Sequence, residues 1–103
     1  MKNRKISWDK QAINYFREAI GYIRKDSPQN ANKIKKEILE RIGELSKRPE
    51  IHPPDKYKTN NTGNYRAFEL HRFRVGYLVK DEEIIIARIR NTNQEPLDYY
   101  FFA

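Results

Sequence analysis

Three arginines carry the most suggestive chemistry in this chain. Arg88 and Arg90 alternate at the end of the apolar run "EIIIARIR", and Arg74 sits in the run before it, "RFRVGYLV". Five of the six Lys and Arg residues between 64 and 90 are arginine; Lys80 is the exception. A guanidinium is a planar fork that matches phosphate or carboxylate at two points, where an ammonium offers one point charge. The chemistry these residues suit is therefore the holding of an anion. Past them the chain runs through "NTNQEPLDYYFFA", where Tyr99, Tyr100, Phe101 and Phe102 form an aromatic cluster of the kind that anchors protein contacts.

Other chemistries are poorly served. The absence of cysteine rules out disulfides and thiolate zinc sites. His52 and His71 lie far apart, with no repeat of metal-ligand spacing, so neither a metal nor another cofactor is expected. No run is long and apolar enough to span a bilayer, which makes a soluble cytoplasmic protein the default expectation. The net charge of +7 suits a polyanionic partner, either nucleic acid or an acidic protein segment.

The elements that must position these residues can be read from periodicity. A chain of 103 residues has room for one domain, 1–103, with one modest core. "KNRKISW" reads as a short edge strand with Ile6 and Trp8 on one face. A helix from about Asp9 to Lys25 follows, its stripe formed by Ala12, Ile13, Phe16, Ile20 and Ile23. Ser27 and Pro28 are a cap and first residue for a second helix, whose stripe is Ala31, Ile34, Ile38, Leu39, Ile42 and Leu45. Lys33, Lys35 and Lys36 fall on its solvated side, and Pro49 marks the stop. Residues 49–63, "PEIHPPDKYKTNNTG", form a long loop of the kind that often carries function. Three strand-like runs close the order. The fold class is α+β: an N-terminal edge strand and an αα-hairpin packed on a mainly antiparallel sheet completed by three consecutive strands.

Strand alternation places the arginines. Leu70 is expected opposite Phe73 across a His71–Arg72 turn, and Phe68 opposite Val75. Phe73, Val75, Tyr77 and Val79 then face the helices. Matching them to the row Ile85, Ala87 and Ile89 pairs Val79 with Ile85, across a three-residue loop of Asp81, Glu82 and Glu83. The open face would carry Tyr65, Ala67, Glu69, Arg74, Gly76, Leu78, Ile84, Ile86, Arg88 and Arg90. Arg74 falls opposite Arg90 on one side and Glu69 on the other, so the two arginines need anionic partners. Glu69 serves one; Glu95, Asp98, water or a ligand serves the other. Ala67 beside Gly76 suggests a shallow depression between them. Tyr99 and at least one of Phe101 and Phe102 are expected to pack back, on Ile84 and Ile86 or on the first helix.

The hairpin "GNYRAFELHRFRVGYLV", with Gly63, Tyr65, Arg66, Arg74 and Tyr77 at its marked positions, and the closing "RIRNTNQEPLDYY" resemble the RelE/ParE superfamily of type II toxin–antitoxin toxins. The resemblance covers nearly the whole chain. It implies a toxin silenced by a cognate antitoxin, with one of two targets. RelE-like members are ribosome-dependent endoribonucleases that cut messenger RNA; ParE-like members poison DNA gyrase and are not nucleases. For the nuclease branch the resemblance implies Arg74 as the phosphate-contacting arginine, with Asp55 and Tyr99 as further catalytic candidates. Arg66, Arg74, Arg88, Arg90 and Lys58 would bind RNA or another anionic partner, and Tyr99, Tyr100, Phe101 and Phe102 would contact target or antitoxin.

The chain departs from the nuclease pattern where it counts. Asn91 stands where a histidine is common and Asn93 where an arginine is common. Cutting RNA through its own 2′-hydroxyl requires a base, an acid and cations at the phosphorane. Asparagine supplies neither proton acceptor nor proton donor near neutrality. The ParE-like reading, with DNA gyrase as target and no enzymatic activity, is therefore favoured over the ribosome and its messenger RNA. A non-toxic interaction module is the third reading.

Overall fold

Asp9 ends the first strand and starts the first helix. Its backbone is extended, and its carboxylate accepts the N–H of Gln11 at 2.9 Å, satisfying one donor that the helix start leaves open. The computed structural model describes residues 3–92. Within them β1 (Lys5–Trp8) leads to α1 (Lys10–Asp26) and α2 (Pro28–Glu44), then β2 (Tyr65–Leu70), β3 (Phe73–Val79) and β4 (Glu83–Asn91). Ser27 serves both helices. Its N–H donates to the Ile23 carbonyl at 3.0 Å, closing α1, while its hydroxyl accepts from the Asn30 N–H at 3.1 Å, opening α2 ahead of Pro28. A single residue thus sets the hairpin.

Both helices bury the stripes that periodicity indicates: Ala12, Phe16 and Ile20 from α1, and Ala31, Ile34, Ile38 and Ile42 from α2. Leu39 is a correction. It was expected on the apolar stripe but lies 40% exposed, because it stands about 100° round the helix from Ile38, outside the buried row of Ala31, Ile34, Ile38 and Ile42. Lys33, Lys35 and Lys36 are exposed as expected. Among the described residues no helix is long and apolar enough to cross a membrane.

The sheet has the order β1-β4-β3-β2, with β1 parallel to β4 and the other pairs antiparallel. The β2–β3 register is the expected one, with Leu70 opposite Phe73, Phe68 opposite Val75 and Glu69 opposite Arg74. His71 and Arg72 make the turn with positive φ (53° and 65°), the backbone twist that two-residue hairpins favour although neither residue is glycine. His71 Nε2 lies 2.6 Å from Glu37 Oε1, fastening this turn to α2.

The β4 register differs from the expectation. Val79 pairs with Ile84, not Ile85, and the Lys80 N–H donates to the Glu83 carbonyl at 2.9 Å, so Asp81 and Glu82 form a two-residue turn. Ile84 and Ile86 are fully buried in the core rather than on the open face, and Ile85 is only half-buried. The ladder then shifts: Tyr77 pairs with Ile86, but Gly76 pairs with Arg88. Ala87 is the extra residue of a β-bulge. Beyond it Ile89 rejoins Val75 on the helix side, and Arg90 faces Arg74 as expected. A strict period of two could accommodate Ile84 and Ile86 or Ile89, not both. The bulge accommodates all three.

Candidate functional site

The β2–β3–β4 ladder sets Arg74 between Glu69 and Arg90 on the sheet face away from the helices. Its guanidinium uses both ends of the fork. Nη1 donates to Glu69 Oε2 and Nη2 to Asp55 Oδ1, each at 2.8 Å. The Tyr57 ring lies 4.8 Å from the guanidinium carbon, near enough for its π-face to attract the cation. The Arg74 and Asp55 side chains are 11% and 3% exposed. Water screens such a pair far less than a surface one, so removing either partner is strongly unfavourable. Across the ladder Arg90 is itself 3% exposed.

Asp55 reaches this face because the 49–63 loop folds back along the free edge of β2. Tyr77 donates its hydroxyl to the Pro49 carbonyl at 2.7 Å, and Arg66 Nη1 donates to the His52 carbonyl at 2.7 Å. The Ala67 N–H then donates to Pro53 and the Asp55 N–H to Tyr65, making a short antiparallel bridge. Pro53 and Pro54 favour an extended approach here. Asn61 locks the return: its amide donates to the carbonyls of Asp55 and Tyr65, and its oxygen accepts from the Gly63 and Tyr65 N–H groups. Gly63 adopts φ 102°, a conformation that side chains rarely tolerate. Lys58 Nζ ends 4.6 Å from the Tyr65 ring centre.

Burial tunes two groups where this loop meets the sheet, Tyr77 of β3 and His52 of the loop. The Tyr77 phenol is fully buried, which pushes its pKa up to about 12. The His52 ring stacks tilted on Phe68 at 4.8 Å, and burial, with the nearby Arg41 charge, holds its pKa below the usual histidine value. Beside them lies a cleft of about 380 Å³ at the β2 edge, lined by Arg41, His52, Lys56, Ala67, Glu69 and Arg74. This cleft takes in Ala67 but not Gly76, so it is not the depression expected between those two residues.

The expected site residues thus separate. Arg74, Arg88 and Arg90 share the open face, Arg88 half-buried opposite Gly76. Asp55 and Lys58 come to its border through the loop. Arg66 does not join the row: it pairs with Tyr77 on the helix side and secures the loop. Tyr99, Tyr100, Phe101 and Phe102, like Asn93, Glu95 and Asp98, lie outside the described residues. Sequence reasoning missed Asp55 as the counter-ion of Arg74, and did not assign Tyr57, Arg41 or His52 to the site. The one available signal was the Pro53–Pro54 pair, which marks an extended segment able to lie beside a strand.

Chemically, the arrangement holds anions better than it moves protons. Asp55 is committed to Arg74 and to the Tyr57 N–H, and Tyr77 is a buried phenol. The Asn91 N–H donates to the Tyr15 hydroxyl, and its side chain cannot titrate.

Residues 6–96 match the model of a family described as the ParE toxin of the type II toxin-antitoxin system, parDE. Among solved structures, a chain from the chromosomal ParDE TA system of P. aeruginosa superposes with a TM-score of 0.65 at 21% identity, covering 85% of this chain and 95% of that one. At that identity the likeness speaks for the fold. None of the curated proteins matches. The family match runs from β1 through the arginine row and past the end of β4, and the chain belongs to the ParE toxins of type II toxin–antitoxin systems.

Proposed function

We propose that this ParE-type toxin inhibits growth by poisoning DNA gyrase through protein contact, and that a cognate antitoxin neutralises it. The observation that carries this reading is the state of the open face. Arg74 is held by Asp55 and Glu69, and Asn91 occupies the place where the nuclease pattern has a titratable group. A surface of fixed charges, in a chain whose sequence also carries the aromatic run Tyr99, Tyr100, Phe101 and Phe102, suits recognition of a protein. The antitoxin is expected to bring acidic residues to the rim of the arginine row, since the toxin carries +7.

The ribosome-dependent nuclease is the second reading, favoured by the gathering of Arg74, Arg88 and Arg90 on one face, where phosphate would be welcome. Inducing the chain without antitoxin separates the two. Gyrase poisoning gives a DNA-damage response with intact transcripts. Cleavage of messenger RNA within coding regions, without DNA damage, overturns the gyrase reading. Normal growth on induction overturns both and leaves an interaction module.

A further inference from the structure

Arg74 holds two carboxylates of very different standing. Asp55, on one end of its fork, is 3% exposed and also accepts the Tyr57 N–H. Glu69, on the other end, is 52% exposed, and among the described residues its carboxylate makes this one hydrogen bond. We propose that Glu69 is an exchangeable counter-ion: an extended acidic segment of a protein partner enters the cleft at the β2 edge, and its carboxylate takes the place of Glu69 on Arg74.

The cleft is charged for such a guest. Arg41 from α2, Lys56 from the loop and Arg74 from β3 line it, against one carboxylate, Glu69. Among the described residues neither Arg41 nor Lys56 has an ion-pair partner; Arg41 lies 5.7 Å from the Phe68 ring centre and Lys56 5.1 Å from that of Tyr57. With Glu69 turned out to water, three cations face one incoming carboxylate. The volume of about 380 Å³ stands at the lower end of small-ligand sites, room for a side chain or two. Water screens the exposed Glu69 contact, so it yields easily. The buried Asp55 contact does not, and it keeps Arg74 in place while the other end of the fork changes partner.

The strand edge selects an extended guest. The loop bridges β2 at Pro54 and Arg66, and the Ala67 N–H donates to the Pro53 carbonyl at 3.3 Å. Outward N–H groups fall on alternate residues of a strand, so that of Glu69 points to the same edge. Pro53 has no N–H with which to carry the ladder further, and among the described residues no carbonyl meets the Glu69 N–H. A peptide in strand conformation offers that carbonyl and sends every second side chain toward the cations. A helix spends its carbonyls internally. The exchange is the same whether the toxin acts on gyrase or on the ribosome.

The probe is end-blocked hexaglutamate, kept extended by its own charge, titrated into the isotope-labelled full chain at neutral pH and followed by NMR. Hexaglutamine and inorganic phosphate serve as comparisons. Hexaglutamate should shift the Ala67 and Glu69 amides and the Arg74 Nε–H, and hexaglutamine should not. Glu69→Gln removes the competitor and should tighten binding about three- to tenfold, the scale of one partly exposed charged contact. Lys56→Gln should weaken it about threefold. Glu18→Gln adds the same charge on α1, outside the cleft, and should change the Kd by less than about twofold because salt screens distant charges. All three positions are exposed, so the variants fold. Equal gains from Glu69→Gln and Glu18→Gln overturn the proposal and leave only the general attraction of a basic protein. Unchanged or weaker binding by Glu69→Gln overturns it as well, as does the absence of shifts at Ala67 and Glu69. Tighter binding of phosphate than of hexaglutamate at the same amides overturns the peptide guest and assigns the cleft to phosphate.

Discussion

Asp55 shows how far a residue's neighbours decide its role. As a loop carboxylate near basic residues it reads as a candidate base, yet here it is a buried counter-ion held 2.8 Å from Arg74. Asp55→Asn keeps the acceptor for the Tyr57 N–H but removes the charge. Urea unfolding should show a loss of about 2–4 kcal/mol, near the range for breaking a buried pair. On the gyrase reading, toxicity per folded molecule stays the same. Tyr99→Phe is the complementary test because it removes only the hydroxyl and keeps the ring: toxicity should hold within severalfold. A loss of about a hundredfold, typical of general acid–base catalysis, would indicate a nuclease. At this scale the sequence was legible where strand alternation governs, as for Glu69, Arg74 and Arg90. It was illegible at Asp55 and Tyr57, because a loop has no period to read.

At the scale of elements, the two helices and the β2–β3 hairpin follow from caps, stripes and alternation. β4 does not, since its isoleucines satisfy two registers and only the tertiary packing selects the bulged one. Deleting Ala87 tests that account. The ladder would then run unbroken from Val79–Ile84 to Val75–Ile89, with every isoleucine of the core row still on the helix side. The variant should fold cooperatively, with stability within about 2 kcal/mol of wild type, the usual span for single changes. In the unbulged register with Val79 opposite Ile85, the same deletion would send Ile89 to the open face and unfold the chain. The loop offers a second test through Tyr77, which donates to Pro49. Tyr77→Phe leaves that carbonyl unsatisfied, and the expected loss in urea unfolding is about 1–3 kcal/mol. The phenol also ties stability to pH. Its folded pKa, about 12, lies above the ordinary value near 10, so its contribution is complete below pH about 10 and vanishes as pH rises toward 12. Wild type should therefore lose roughly 2–3 kcal/mol more than Tyr77→Phe across that window.

For the whole molecule, an αα-hairpin and a four-stranded sheet present a row of arginines on one face and a charged cleft at the β2 edge. Among the described residues, 3–92, every helix and strand precedes residue 97. Truncation at residue 96 should thus preserve a cooperative fold and abolish toxicity, as circular dichroism and growth on induction would show. An unfolded truncation would make the tail part of the core; a folded and fully toxic one would remove it from the functional surface. Its net charge of +7 also means that association with an acidic partner should slow as salt rises. The target of the toxin can be tested directly. Purified toxin incubated with DNA gyrase, supercoiled DNA and ATP should trap double-strand breaks that appear on denaturing the enzyme, and the purified antitoxin should suppress them. Unbroken DNA at saturating toxin, alongside cleavage of messenger RNA on translating ribosomes by the same preparation, would contradict the gyrase reading.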